Sequence, residues 1–108
     1  MISYEDFKKV EMKIGTVTAA ERVPDTDKLI KCTVNVGEDE PRTIVSGIAE
    51  HYPDPEELVG KQFPYVLNLE PRTIRGIESQ GMIMAVGGEH GIALMSPDTD
   101  VIPGSPIS

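Results

Sequence analysis

Five residues whose side chains could bind a nucleic acid lie within one short segment, 72–82. Arg72 and Arg75 are permanent cations, and Ser79 and Gln80 can hydrogen-bond to a phosphate or ribose; Gln80 could also contact a base edge. Met82 offers a soft apolar surface for a base, although a core position is equally open because Met84 shares its strand face. These residue types suit a ligand that combines phosphates with an unstacked base.

Three further cations are candidates because of the strands that must position them. Lys28 and Lys31 lie at the start of a predicted second strand, and Arg42 begins a predicted third strand. In a small barrel, neighbouring strands and their loops form one continuous face. We therefore expect Lys28, Lys31 and Arg42 to line the same groove as Arg72 and Arg75.

The hydrophobic pattern predicts a single all-β domain over residues 1–108. Apolar residues alternate with polar ones along several segments, and turn residues separate these segments. The predicted strands are Met12–Val23, Leu29–Val36, Arg42–Ile48, Lys61–Leu69 and Met82–Val86, with a turn at Gly87–Gly91. Ser3–Val10 is predicted as a short helix, Asp54–Gly60 as a one-turn helix, and the tail after Ser96 as ordered coil or a short strand. The layout is typical of a five-stranded Greek-key barrel, the OB-fold.

Two residues within the predicted strands suggest irregular backbone, and the short helix requires a partner. Gly15 indicates a bend or bulge in the first strand, and Pro64 a bulge or an edge position in the fourth. The helix is too short to be stable alone, so Phe7 and Val10 must pack either on their own domain or on a second copy.

Composition excludes several classes of function. The net charge of −8 is unusual for a nucleic-acid binder, but binding depends on the local field rather than on the total charge. One cysteine, Cys32, with His51 and His90 makes a metal site improbable, and no nucleophile or phosphate-loop motif is present. We therefore expect no enzyme activity and no cofactor. The absence of a long apolar run or a leader-like start predicts a cytoplasmic protein away from membranes.

The central segment resembles the signature of the tRNA-binding domain family. The matching positions are Asn68, Leu69, Pro71, Gly76, Ser79, Gly81 and Met82, and segments 10–15, 23–29 and 44–49 extend the resemblance along the chain. This family includes the C-terminal domain of methionyl-tRNA synthetases and stand-alone dimeric tRNA-binding proteins. The resemblance implies an OB-fold, tRNA as the ligand, a homodimer built through the terminal segments, and an accessory role for a synthetase.

The resemblance also implies site residues and leaves alternatives. It supports tRNA contact by Arg72, Arg75, Ser79 and Met82, and more loosely by Lys28 and Lys31. Glu70 and Thr73 depart from the family, whose members often carry lysine there, and this should reduce phosphate affinity. Two alternative functions are a dimerisation or scaffold module that docks a synthetase, and a CsaA-like chaperone that binds peptides. A response to tRNA distinguishes both from a tRNA-binding protein.

Overall fold

The computed structural model describes residues 1–89 and 91–108 of the chain. The elements are α1 (Tyr4–Lys8), β1 (Met12–Arg22), β2 (Ile30–Asn35), β3 (Arg42–Ser46), a 3₁₀ helix (Pro55–Leu58), β4 (Gln62–Val66), β5 (Arg72–Ile74), β6 (Ile77–Ser79), β7 (Met82–Ile83), β8 (Ala85–Gly88) and β9 (Gly91–Leu94). The first four predicted strands and both predicted helices are thus present, each one to four residues shorter than expected. The predicted fifth strand, Met82–Val86, is wrong in extent because it divides into β7 in the barrel and β8 in a separate hairpin with β9. The predicted turn at Gly87–Gly91 is also too wide, since Gly87 and Gly88 belong to β8 and Gly91 to β9.

Five antiparallel strands form a nearly closed barrel. The sheet order is β3-β2-β1-β4-β7, and the segment after β6 returns to β3. The amide of Gln80 donates to the carbonyl of Thr43 at 2.8 Å, and the amide of Thr43 donates to the side-chain oxygen of Gln80 at 2.9 Å. These two bonds join the two ends of the sheet, and we call this junction between β3 and the segment after β6 the seam. The prediction of an all-β OB-type barrel is confirmed.

The barrel core follows the alternation seen in the sequence. Ile30, Cys32 and Val34 of β2 are buried, whereas Lys31 and Thr33 between them face outward and are partly exposed. Tyr65 of β4 is only 1% exposed and is the largest fully buried side chain. Burial raises the pKa of the Cys32 thiol to about 11, so this cysteine is a protonated core residue rather than a nucleophile.

The first strand carries a bulge, but not at Gly15, where a bend or bulge was expected. The register between β1 and β2 shifts between Val17 and Ala19, beyond the glycine. Gly15 is required for close packing instead: a Cβ atom there would lie 2.5 Å from Cγ1 of Val34 and 3.0 Å from the ring of Tyr65. Its missing side chain leaves room for the tyrosine ring in the barrel.

The expected bulge or edge position at Pro64 is also wrong. Pro64 pairs in regular register with Ile14, and β4 lies inside the sheet, between β1 and β7. The carbonyl of Pro64 accepts a hydrogen bond from the amide of Met84 at 3.0 Å, just after β7 ends. A strand can accommodate proline beside so short a partner because few ladder bonds are needed there.

The tail continues the barrel as ordered chain, as predicted. Pro106 pairs with Lys13, and the amide of Ile14 donates to the carbonyl of Ser105 at 2.9 Å. The amide of Gly104 donates back to the carbonyl of Ile14 at 2.7 Å. The tail therefore covers the edge of β1 that β2 leaves free.

Both helix caps agree with the sequence. The hydroxyl of Ser3 accepts from the amide of Asp6, and the carboxylate of Asp54 accepts from the amide of Glu56. However, α1 has no buried residue: Phe7 is 40% exposed, and Tyr4 is 71% exposed. The helix therefore contributes no buried residue to the barrel core, and Phe7 keeps two fifths of its surface exposed.

Candidate nucleic-acid interface

The two candidate arginines lie on a β-hairpin, in a part of the chain for which the sequence predicted no strand. Arg72 pairs with Ser79 and Ile74 pairs with Ile77, so β5 and β6 form a regular ladder. Arg75 and Gly76 occupy the turn with φ values of 52° and 79°. Two consecutive positive φ values are typical of a type I′ hairpin turn, and glycine suits the second position. The hairpin holds both guanidinium groups on a projecting, regular element.

A groove of about 410 Å³ lies between this hairpin and the open end of the barrel. Most of its lining is apolar, and it includes Leu29, Ile48, Leu69, Ile74, Ile83 and Ile92. Among its described residues, Arg72 and Glu70 are the only charged ones. Met82 lines the groove and is 49% exposed, so this residue is a surface rather than a core methionine.

Most of the lysines and arginines outside the hairpin already interact with other groups of the protein. Of the ten lysines and arginines, four pair with carboxylates: Lys9, Lys13, Lys31 and Arg42. Lys8 and Lys61 lie over tyrosine rings, and Arg22 donates to backbone carbonyls. Within residues 1–89 and 91–108, Lys28, Arg72 and Arg75 form no ion pair or side-chain hydrogen bond with the rest of the protein. Of these three, only Arg72 lines the groove; Lys28 and Arg75 are the chain neighbours of the lining residues Leu29 and Ile74.

Ser79 is part of the barrel closure. Its side chain is buried, and the residue is 4% exposed. The hydroxyl accepts from the amide of Val45 at 3.0 Å and donates to the carbonyl of Gly81 at 3.2 Å. Gln80 uses its side-chain oxygen for Thr43 in the same seam, which leaves its amide group available. RNA contact by Ser79 and Gln80 stays a prediction, but both already support the hairpin.

Arg42 also binds the seam. Its guanidinium forms two 2.8 Å bonds to the carboxylate of Glu38 and donates to the carbonyls of Leu67 and Gln80. These bonds raise the pKa of Arg42 and lower the pKa of Glu38. The guanidinium is thus neutralised and largely saturated, so a phosphate would have to displace Glu38 to reach it.

A second, larger concavity beside Arg42 has the opposite electrostatics. Its volume is about 670 Å³, and its rim carries Glu38, Asp39 and Glu40. Arg42 is the only cation among its described lining residues, and its charge is balanced by Glu38. A polyanion is therefore repelled from this side and favoured at the groove beside the hairpin.

Substitution of Ser79 distinguishes its structural role at the seam from direct contact with RNA. The Ser79→Ala variant leaves the buried amide of Val45 without its partner, so we expect the free energy of unfolding to fall by about 1–3 kcal/mol. Urea denaturation measures this change, and exposed Ser96→Ala is the matched control. If stability is unchanged while RNA affinity falls, Ser79 contacts the RNA directly and its seam role is unimportant.

The histidines give no indication of catalysis. His51 packs edge-on against Tyr52 with ring centres 5.1 Å apart, and His90 lies outside the described residues. In the described part of the chain, no three histidine, cysteine, aspartate or glutamate residues are grouped so that they could hold a metal ion. No helix of the described chain is long and apolar enough to span a membrane.

Sequence reasoning missed the apolar wall of the groove and the position of Glu70 within it. Leu29, Ile48, Leu69 and Ile83 of that wall fall in predicted strands, and periodicity reports a hydrophobic face, not what covers it. The available signal was the pair Ile74 and Ile77 around Arg75-Gly76, which is typical of a hairpin with one apolar face.

Known proteins match this chain over nearly its whole length. A family model described as "Putative tRNA binding domain" matches residues 12–106. A methionine–tRNA ligase of Caldanaerobacter subterraneus subsp. tengcongensis is 49% identical over 107 residues, which cover 99% of this chain but only 16% of the ligase. The chain thus spans about a sixth of that relative's length.

Two solved structures share the fold over the complete chain. A MetRS-related protein from Pyrococcus horikoshii has a TM-score of 0.91 and 42% identity, with 100% of this chain and 98% of that chain covered. The chaperone CsaA of Bacillus anthracis has a TM-score of 0.88 and 30% identity, with coverages of 100% and 99%.

Proposed function

The chain belongs to the tRNA-binding domain family, and we propose that it binds folded tRNA, without catalysis, at the β5–β6 hairpin and the adjoining groove. One observation carries the location: Arg72, Arg75 and Lys28 are cations without partners in the described chain. Arg72 lines this groove, and Arg75 and Lys28 are the chain neighbours of the lining residues Ile74 and Leu29. Phosphates bound there replace only water around these cations, whereas phosphates at the other lysines and arginines must compete with a carboxylate, a tyrosine ring or backbone carbonyls.

Local charge explains how an acidic protein can bind RNA. The net charge of −8 repels a polyanion at long range, and the rim of Glu38, Asp39 and Glu40 repels it from one side. At the hairpin, Arg72 and Arg75 have no carboxylate partner within the described chain, so we expect phosphates to be accepted on this side and the RNA to be guided to one orientation. Lys31, Arg42 and Gln80 are secondary contacts in this proposal because their side chains already bind Glu21, Glu38 and Thr43, respectively.

The mode of binding is recognition of backbone and shape. The chain has no tryptophan and only 5% aromatic residues, so stacking of many successive bases is excluded as the main source of affinity. Met82, half exposed in the groove, offers a surface for a single base.

A gel shift with unfractionated tRNA tests the proposal. We expect binding at low salt that weakens steadily toward physiological salt, because few phosphates are contacted and each releases counterions. Polyglutamate of similar charge is the control for general polyanion binding. Absence of a shift even at low salt would contradict tRNA binding and favour the scaffold or the peptide-binding chaperone.

We further propose a homodimer formed through the terminal segments. Tyr4, Phe7 and Val10 near the N-terminus and Ile102 near the C-terminus are exposed apolar residues, with Ile102 80% exposed. Both segments adjoin the start of β1, where the tail pairs with Lys13. Burial of these side chains against a second copy would stabilise a helix that is too short to persist alone.

Light scattering at micromolar concentration measures the association. We expect the mass of two chains for the wild-type protein and of one chain for a Phe7→Asp/Ile102→Asp variant. Val59→Asp, at an exposed apolar residue elsewhere, is the matched control. A wild-type mass of one chain would contradict the dimer without affecting the proposed tRNA site.

The cellular role follows from the relatives. We propose that the domain acts in the cytoplasm as an accessory to a methionyl-tRNA synthetase, since its relatives include methionine–tRNA ligases in which a homologous segment forms a small part. Higher affinity of that enzyme for tRNA in the presence of this domain would support the role.

A further inference from the structure

We infer that the groove beside the β5–β6 hairpin accommodates one unpaired nucleotide of the bound RNA, and that Glu70 selects a base with an exocyclic amino group. The inference rests on the proposed tRNA binding and adds the chemistry that this site reads.

The groove has the size and lining of a site for a small planar group. Its volume of about 410 Å³ lies within the roughly 300–1,000 Å³ range of small-molecule clefts. Leu69, Ile74 and Ile83 provide apolar walls, and Met82 adds a polarisable thioether at the surface. An RNA duplex cannot enter a cleft of this size, so the groove can receive only an extruded or unpaired base.

The two charged residues of the groove match the two ends of a nucleotide. Arg72 has no ion pair in the described chain and can bind a phosphate through its guanidinium. Glu70, two residues earlier, lines the same groove, and no ion pair between the two is present. A nucleotide whose base lies between these two residues would place its phosphate on Arg72 and the edge of its base against the carboxylate of Glu70.

A carboxylate accepts hydrogen bonds and cannot donate them. Glu70 therefore suits the amino group of cytosine, and disfavours uracil, which presents a carbonyl oxygen at the same position. By this inference, the acidic residue that lowers general phosphate affinity provides discrimination between bases. Glu78 provides a natural comparison because its partner in the hairpin is Thr73, on the face opposite Arg72 and Ser79.

Fluorescence anisotropy with short labelled oligocytidylate and oligouridylate tests the inference on the full chain. We expect the wild-type protein to bind oligocytidylate about tenfold more tightly, as one charged hydrogen bond would produce. Glu70→Gln should reduce the ratio to about twofold or less because an amide can also donate to uracil. Glu78→Gln, which removes the same charge, should retain the wild-type ratio.

Several outcomes would overturn the inference. Equal binding of the two oligonucleotides by the wild-type protein, no binding of either, or a preference that survives Glu70→Gln would each contradict it. Displacement of the probe by an unfolded apolar peptide, but not by cytidine monophosphate, would assign the groove to peptides. Binding of intact tRNA, measured in parallel, separates these failures from failure of the proposed function itself.

Discussion

The Arg72→Ala/Arg75→Ala variant is expected to bind unfractionated tRNA at least about tenfold more weakly than the wild-type protein. Each arginine that contacts a phosphate contributes about 0.7–0.9 to the slope of log affinity against log salt concentration, so loss of both should flatten that slope by about 1.4–1.8. Stability should change little because neither guanidinium forms an ion pair within the described chain. Salt titrations of the dissociation constant measure both effects.

A variant with the same change in charge is the control. Lys9→Ala/Lys61→Ala also removes two cations, but these residues pair with Asp6 and lie over Tyr52, respectively. We expect its affinity to stay within about threefold of wild type, since only the long-range field changes. Equal losses in the two double variants would show that total charge governs binding, and would contradict a site at the hairpin.

The Gly15→Ala variant is expected to lose about 2–3 kcal/mol of unfolding free energy. The added methyl would lie 2.5 Å from Cγ1 of Val34 and 3.0 Å from the ring of Tyr65, and both side chains are almost fully buried. Neither can move without displacing other core residues, so overpacking destabilises the barrel. Urea denaturation with an unchanged m-value would measure the effect.

Gly87→Ala is the matched control for this substitution. Gly87 also lies in a strand, but no described atom lies within 4 Å of the position that its Cβ would occupy. Its stability should therefore stay within about 0.5 kcal/mol of wild type. A similar loss in both variants would show that the cost of Gly15→Ala does not come from packing against Val34 and Tyr65.

The fold could be predicted from sequence because its determinants are local. Alternation along β2 identified the face with Ile30, Cys32 and Val34, and the caps at Ser3 and Asp54 identified both helix starts. These signals need only a few neighbouring residues. The position of the bulge and the reason for Gly15 were not predictable in this way, since both depend on how Val34 and Tyr65 meet across the barrel.

The site could be predicted only in part, for a related reason. The residue types of Arg72, Arg75 and Met82 indicated an exposed binding segment, and all three are exposed on or beside the β5–β6 hairpin. Ser79 and Arg42 have residue types just as suitable for RNA, but they satisfy backbone groups where β3 meets the segment after β6. Sequence alone does not distinguish a polar group that binds a ligand from one that closes a barrel, because both use the same donors and acceptors.

Hydrogen–deuterium exchange with and without unfractionated tRNA tests the central claim most directly, since it locates the RNA on the protein. We expect tRNA to slow amide exchange in peptides covering 70–83 and in those covering 28–31 and 45–48, which flank the groove. Peptides covering Glu38–Glu40 should exchange unchanged. Protection centred on that acidic rim or on α1, with none at the hairpin, would contradict the account.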